Sequence, residues 1–485
     1  MRAIHTSPYS GSWYPGEASE LNRLLDECFE RSLARTGPYL FRDAIGFVTP
    51  HAGPAWSGTV AAAVYRSLGQ QPPERVVLLA FPHHGGLGGV ASPDVDAIAT
   101  PLGEVAIDRS FACGFPKVPE SRVCDHSFEI QLPFLQKSAP QACVCPLYVG
   151  PMNTAEHAAA ATRLADAWRP GMVFLASSDF NHYGRSFGFV PFPPDHAVAA
   201  RLRELDGDCM EAAGSLDSTL FREKLRERRA TVCGSDPISL LLDVMARLGG
   251  DEIYQATLDY QTSGEIGGDY RDSVSYAALG YFRRQSFELS AGDQLVLLDT
   301  ANGSLRRLRE TGLREPVAAE GGSSALGARR GVFVSLHQGG QLLGCLGDLD
   351  GESPLSEEVP RLALAAALDD PRFQHETAIP PDAEIEISVL TPLRRIRDAG
   401  QVRVGTHGVL LKRGGRCGLL LPQVARDRHW TTEQFLKAVC RKAMVGPEDW
   451  RHPQTRLYVF GAQVFSSKEG QLRSLDGGTT PLSRM

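Results

Sequence analysis

The chain lacks any uninterrupted apolar stretch near the roughly 18 residues needed to span a bilayer. Its opening, Met1-Arg2-Ala3-Ile4-His5, soon meets Pro8 and Gly11 and has no apolar centre of a secretion signal. The cytoplasm is the expected compartment, and no membrane association is expected. The ten cysteines include no Cys-x-x-Cys pair, which removes zinc-ribbon and thioredoxin-like readings. No Gly-x-x-x-x-Gly-Lys-Ser/Thr phosphate loop occurs, and Gly85-Gly86-Leu87-Gly88-Gly89 lacks the dinucleotide-binding spacing. A Gly-x-Ser-x-Gly nucleophile elbow and a His-Glu-x-x-His zinc motif are both missing. Excess basic charge is missing too: the net charge is −7, so no global positive surface recruits nucleic acid. The run Arg306, Arg307 and Arg309 is the one candidate basic patch, and it reads as a solvated helix face.

What is present is ordinary globular composition, with 42% hydrophobic and 22% charged residues. A length of 485 residues exceeds one ordinary core. Apolar strand-like runs at 44–49, 75–81, 143–149 and 172–176 alternate with helical segments such as 59–68 and 154–168. Near-continuous apolar strands between helices predict an α/β sheet covered on both faces. Further helices are expected at 196–205, 216–229 and 237–248, and strands at 253–260 and 273–282. The α/β alternation stops near residue 285. Beyond it, strands at 332–336 and 384–390 and helices at 295–309, 354–368 and 432–443 are interleaved less regularly, which predicts a second, α+β domain. The expected division is 1–284 and 285–485.

Polar residues fall immediately after the apolar runs. Pro50-His51-Ala52-Gly53, Pro82-His83-His84-Gly85 and Ser177-Ser178-Asp179 each follow one. Open α/β sheets build their sites just beyond the carboxyl ends of strands, so three such deliveries predict a shared pocket. Neutral imidazole is a common metal ligand, so His51 and His83 are candidate ligands, or alternatively loop histidines with satisfied hydrogen bonds. Cys233, before a helix, is a candidate thiolate, since a helix start lowers a thiol's pKa; the alternative is a buried structural cysteine. Asp179, three residues before His182, could orient an imidazole or cap a helix. His126, between Asp125 and Ser127, could move protons or simply belong to a polar helix start.

Taken in order, eight motifs resemble the Memo family: Gly11-Ser12-Trp13-Tyr14, Pro50-His51-Ala52-Gly53, His83-His84, Thr100-Pro101-Leu102-Gly103, His126-Ser127-Phe128-Glu129, Ser177-Ser178-Asp179-Phe180 with His182, Thr231-Val232-Cys233-Gly234, and Ser273-Val274-Ser275-Tyr276-Ala277. The resemblance covers roughly 1–284. It implies a three-layer α/β domain similar to class III extradiol dioxygenases, which use non-haem iron. It also implies that His51, His83 and Cys233 are the metal ligands, with His182, His126 and Asp179 as catalytic candidates around them. A divalent transition metal is expected, iron first, then copper or zinc. The chain departs from the family at Tyr9 and Ser10, where His-Ala is usual, at Ala80-Phe81-Pro82, where Gly-Pro-Ser is usual, and at Pro54, where Tyr is usual.

The stretches Gly331-Val332-Phe333-Val334-Ser335-Leu336, Gly344-Cys345-Leu346-Gly347, Asp370-Pro371-Arg372-Phe373, 384–392 and Leu419-Leu420-Leu421-Pro422-Gln423 resemble the AMMECR family over roughly 286–485. Leu343 stands where that family usually has Arg. Cys345 is either a functional thiol or a structural one. Together the two families resemble partners in a set called AmmeMemoRadiSam, whose third member is a radical S-adenosylmethionine protein. The resemblance leaves three functions open. One is a metal-dependent, dioxygenase-like oxidoreductase acting on a small substrate. Another is a non-enzymatic adaptor holding an anionic or peptide ligand in the same pocket, as animal Memo relatives are described. The third is an accessory component for the radical partner.

Overall fold

A computed structural model describes residues 3–111, 114–349, 351–373, 380–467, 472–473 and 479–480. Cys113 lies outside the described residues. The chain divides into two compact units, one of Met1–Gly37 and Phe41–Arg283, the other of Pro38–Leu40 and Arg284–Met485. Among the described residues, no helix is long and apolar enough to cross a membrane.

The first unit is built on a nine-stranded mixed sheet. At its middle, Ala44–Thr49, Met172–Ser177, Arg75–Ala80 and Cys143–Val149 lie side by side and all parallel. Their apolar runs are buried almost end to end, because helices cover both faces. Gly46 shows why one face closes: a Cβ there would lie 3.1–3.3 Å from Met245 and Leu241 on the helix Ser235–Leu248. Phe47, one residue on, points to the other face and meets Phe282 edge-on. Across that face the helices Ala18–Thr36, Pro54–Gln70 and Gln131–Ser138 pack together through Gly58. A Cβ at Gly58 would come within 2.6 Å of the Cys28 sulfur. The opposite core joins the sheet to the helices Thr154–Ala167, Val198–Gly214, Ser218–Arg228 and Ser235–Leu248.

Parallel strands share one carboxyl edge, so the loops after Thr49, Ala80 and Ser177 open on the same rim. Beside Ala44–Thr49 runs the antiparallel strand Asp272–Arg283, which also pairs with Ile253–Thr262 and His182–Gly184. A separate three-stranded sheet joins Ile4–Thr6, Ala97–Thr100 and Gly103–Ala106.

Helix ends follow their caps. Thr154–Ala167 starts from a capping box of Asn153 and Glu156, and Ser218–Arg228 starts from the Asp217 carboxylate. The helix expected to end at Leu205 continues to Gly214, through Gly207. The helix Ala18–Thr36 was not expected. It buries only Leu21, Leu25, Cys28 and Ser32, a stripe too narrow to announce itself.

The second unit is α+β and wholly antiparallel in its paired strands. One sheet is ordered Gln341–Asp348, Val332–Gln338, Glu384–Leu390, Ala462–Ser466, Leu472–Arg473, Thr479–Thr480. The helices Ala291–Thr311 and Leu355–Leu368 share its core. A four-stranded sheet, Arg394–Ile396, Arg456–Phe460, Gly408–Arg413, Arg416–Leu420, packs with the helix Thr432–Lys442. Arg306 and Arg307 sit on the exposed side of Ala291–Thr311, where Arg307 pairs with Glu315.

Candidate metal centre

His51 leaves the end of Ala44–Thr49 through Pro50 and is buried. Two interactions fix its ring: Nδ1 lies 3.0 Å from Ser177 Oγ, and Nε2 lies 3.1 Å from Cys233 Sγ. Gln131 Nε2 donates to both Ser177 Oγ (3.0 Å) and the Pro50 carbonyl (2.9 Å), which holds hydroxyl and loop in register. Burial, reinforced by the neighbouring His83 charge, pulls the His51 pKa down to about 3. It is therefore a neutral imidazole at pH 7, the form that ligates metals.

His83 leaves the end of Arg75–Ala80. Its backbone N–H donates to Asp125 Oδ2 at 2.7 Å, and Nδ1 lies 3.2 Å from the same oxygen. Its side chain is 27% exposed, so it forms the open wall of the site. The other Asp125 oxygen accepts from the Ser127 N–H and hydroxyl and caps the short helix His126–Glu129. Burial alone would raise the Asp125 pKa, but the His83 and Ser127 hydrogen bonds outweigh it and hold the carboxylate ionised below its usual range. A carboxylate on Nδ1 leaves Nε2 as the free nitrogen of His83, the arrangement that orients metal-ligating histidines.

Cys233 stands two residues before the helix Ser235–Leu248. Gly234 is required there, because a Cβ would lie 2.5–2.7 Å from Ser178 and the Ser177 carbonyl. The helix start does not make the free thiol acidic. Burial first, then the Asp179 charge, push the Cys233 pKa up to about 12. The expectation of a preformed thiolate fails because desolvation outweighs the helix-end field. A cation must therefore displace the thiol proton when it binds. The ligand atoms of His51, His83 and Cys233 all lie within 4.8 Å of one another.

The remaining candidates differ in what they can do. Asp179 Oδ1 accepts the backbone N–H groups of His51 (2.8 Å) and Ala52 (3.3 Å), so this carboxylate positions the His51 loop. Burial raises its pKa against the His182 charge and those two donors. His182 Nδ1 lies 3.0 Å from the Phe180 carbonyl and 3.1 Å from the Thr231 carbonyl. Two acceptors on one nitrogen place the proton on Nδ1 and leave Nε2 with a lone pair. His126 is sandwiched, its ring centroid 4.1 Å from His83 and 4.5 Å from Trp13. Burial and the charges of His51 and His83 lower its pKa to about 3. The departures from the family pattern line this same wall: Tyr9 meets Trp13 and His126 edge-on, and Phe81 meets His83 at 4.9 Å.

Several supporting residues escaped the sequence reading. Ser177 and Asp125 stand beside the residues read from the sequence but were not given these roles, and Gln131 was not singled out at all. Asn181 Oδ1 accepts from the Thr231 N–H (2.9 Å), and Asn181 Nδ2 donates to buried Asp206 (2.7 Å), which also accepts from Tyr260 (2.7 Å). Asp206 sits mid-helix with no local signal, and only the folded chain brings it behind the Cys233 loop.

Comparisons with known proteins match this layout. The family model described as Memo-like protein matches residues 6–280, and the AMMECR1 model matches 299–465. A MEMO1 family protein of Methanosarcina barkeri is 34% identical over 279 residues, covering 56% of this chain and 97% of the relative. A memo-1 homolog of Caenorhabditis elegans is 27% identical over 291 residues, covering 56% and 81%. A protein of Methanothermobacter thermautotrophicus is 40% identical over 150 residues, covering 28% of this chain and 75% of the relative. An uncharacterized protein of Pyrococcus horikoshii of known structure is 30% identical, with a TM-score of 0.34, covering 38% of this chain and 95% of its own. The chain belongs to the Memo family and carries an AMMECR1 domain behind its Memo region.

Proposed function

We propose that the Memo region is a non-haem metal protein, holding one divalent transition metal through His51, His83 and Cys233 and acting as an oxidoreductase on a small substrate. The observation that carries this reading is the converged donor set, with ligand atoms within 4.8 Å of one another. Ideal metal–nitrogen and metal–sulfur bonds of about 2.0–2.3 Å place such donors about 3.3–3.8 Å apart, a spacing this set meets with small adjustments. Both imidazoles are oriented from behind, His51 by Ser177 and His83 by Asp125. Iron is the first expectation for a two-histidine, one-thiolate set, then copper, then zinc. When bound, such a metal supplies Lewis acidity and, for iron or copper, electron transfer. The chain's residues do the rest. His182 offers Nε2 as a proton acceptor, His126 and Trp13 wall the site, and Asp179 keeps the His51 loop in place. A dioxygenase-like reaction is the specific form we favour.

The adaptor reading is weaker on electrostatic grounds. An anionic ligand needs positive charge, and burial keeps both His51 and His126 neutral near pH 7. The fused AMMECR1 domain favours a joint role with a radical S-adenosylmethionine partner, to which this chain would hand metal or substrate. All described cysteines are free thiols, which suits a reducing compartment such as the cytoplasm. The deciding experiment is elemental analysis of anaerobically purified full-length protein. One equivalent of metal fewer in His51→Ala and in Cys233→Ser than in the native chain is expected. Metal content unchanged from the native chain in a variant lacking all three ligands overturns the proposal.

A further inference from the structure

A second group of donors lies apart from this pocket. His5 on the strand Ile4–Thr6, Cys124 in the loop before the Asp125 cap, and Glu129 at the end of the helix His126–Glu129 bring one nitrogen, one sulfur and one carboxylate oxygen within 4.8 Å of one another. Neighbouring residues serve different sites: Asp125 turns its carboxylate to His83, while Cys124 belongs to the His5 group. The strand holding His5 is fixed by parallel pairing, His5 opposite Ile98.

Glu129 is the unusual member. Its side chain is fully buried, Oε1 lies 3.0 Å from His5 Nε2, and Oε2 has no hydrogen-bond partner. A buried carboxylate with an empty oxygen costs several kcal/mol unless a cation meets it. His5 is oriented from its other side, where Nδ1 lies 3.1 Å from Glu120 Oε2. That is again the carboxylate–histidine arrangement that fixes a metal ligand.

We propose that His5, Cys124 and Glu129 form a second metal site, closed by Glu120 behind His5 and suited to zinc. One nitrogen, one thiolate and one carboxylate are all ordinary zinc ligands, and the existing 3.0 Å separation of His5 and Glu129 sits close to the spacing about a tetrahedral ion. The ion would tie the amino-terminal strand to the loop that carries Asp125, and so stiffen the backing of His83. This site does not depend on metal at His51, His83 and Cys233.

The test uses cobalt(II), a spectroscopic stand-in for zinc, added to the full-length chain under reducing conditions. In a His51→Ala, His83→Ala background the protein is expected to bind one equivalent, with thiolate-to-cobalt charge-transfer absorption. Adding Cys124→Ser should abolish that absorption, and adding His5→Gln should weaken binding. Zinc should raise the melting temperature of the background variant and not that of its Cys124→Ser derivative. No thiolate absorption in the background variant, or absorption that survives Cys124→Ser, overturns the proposal. If the background variant does not fold, the native chain decides. Two equivalents falling to one in Cys124→Ser support the site, and a single equivalent unchanged by Cys124→Ser overturns it. Loss of the His51 site alone would leave this result standing.

Discussion

The Memo region and the AMMECR1 region each place a cysteine beside a carboxylate, yet they use them in opposite ways. Around Cys233 the donors gather: ligand atoms of His51, His83 and Cys233 lie within 4.8 Å of one another, with His51 Nε2 3.1 Å from the sulfur. Around Cys345 the polar groups are consumed locally. The Cys345 N–H donates to Asp370 Oδ2 (2.8 Å), Arg372 pairs with Asp370 (2.6 Å), and Arg372 Nη2 donates to the Cys345 carbonyl (2.9 Å). Burial resists ionisation of Asp370, but Arg372 and the backbone donors win and hold its pKa at about 2. Parallel strands aim several loops at one rim, whereas an antiparallel hairpin tends to satisfy its own edges. An unspent donor set is a site; a closed network is a latch.

The comparison breaks first at the latch. Asp370→Ala should destabilise the AMMECR1 region by about 2–3 kcal/mol, because it strands the Cys345 N–H and Arg372 together. Metal content should be unchanged. Urea unfolding with paired elemental analysis reads both, and metal loss in this variant would show that the latch is no mere latch. The next largest effect belongs to the Memo region. Asp125→Asn keeps the shape but removes the charge behind His83, and should weaken metal binding about 10–100-fold, as other outer carboxylates do. Competition with a chelator measures it, and unchanged affinity would detach Asp125 from the site.

Acid separates the two regions by the pH window in which each loses stability. In the metal-free protein, unfolded His51 takes up a proton near its ordinary value of 6.5, while folded His51 refuses it until about 3. The stability that rests on neutral His51 is whole above pH 6.5 and drains as pH falls towards 3, by at most about 1.4 kcal/mol per pH unit. His126 acts in the same direction. Asp370 contributes above its ordinary 3.8 and loses that contribution only as pH falls towards 2. Calorimetry of the metal-free chain across this range should therefore show the Memo transition moving first. Transitions that move together would contradict the assignment.

Legibility followed the same divide. The parallel strands were readable because burial on both faces makes them continuous apolar runs, and their ends were readable because His51, His83 and Asp179 interrupt those runs abruptly. The helices at 154–168, 216–229 and 432–443 were readable as helical segments, and the caps that start them at Asn153, Asp217 and Thr431 emerge only in the structure. The four-stranded sheet around Gly408–Arg413 did not, since its members are short and its apolar residues Val409, Leu410 and Leu411 do not alternate. The ligand candidates were visible, but their supports were not. Ser177, Gln131 and Asp206 act across 46 or more residues from their partners or through a helix interior, and no local pattern encodes such a relation.

The smallest effect gives the finest resolution of the open site. Ser177→Ala removes the hydroxyl beside His51 Nδ1 while Asp179 still grips the His51 backbone. A neutral hydrogen bond is worth about 1 kcal/mol, so metal affinity should fall only about fivefold. Gln131 keeps its bond to the Pro50 carbonyl, so the loop should hold. The imidazole then loses its partner at Nδ1, and the ring can offer either nitrogen. If affinity falls as far as in Asp125→Asn, the hydroxyl matters more than its charge allows, and the Ser177–Gln131 pair must be fixing the His51 loop itself. If affinity is unchanged, Asp179 alone sets the ligand, and the orientation of His51 comes from its backbone.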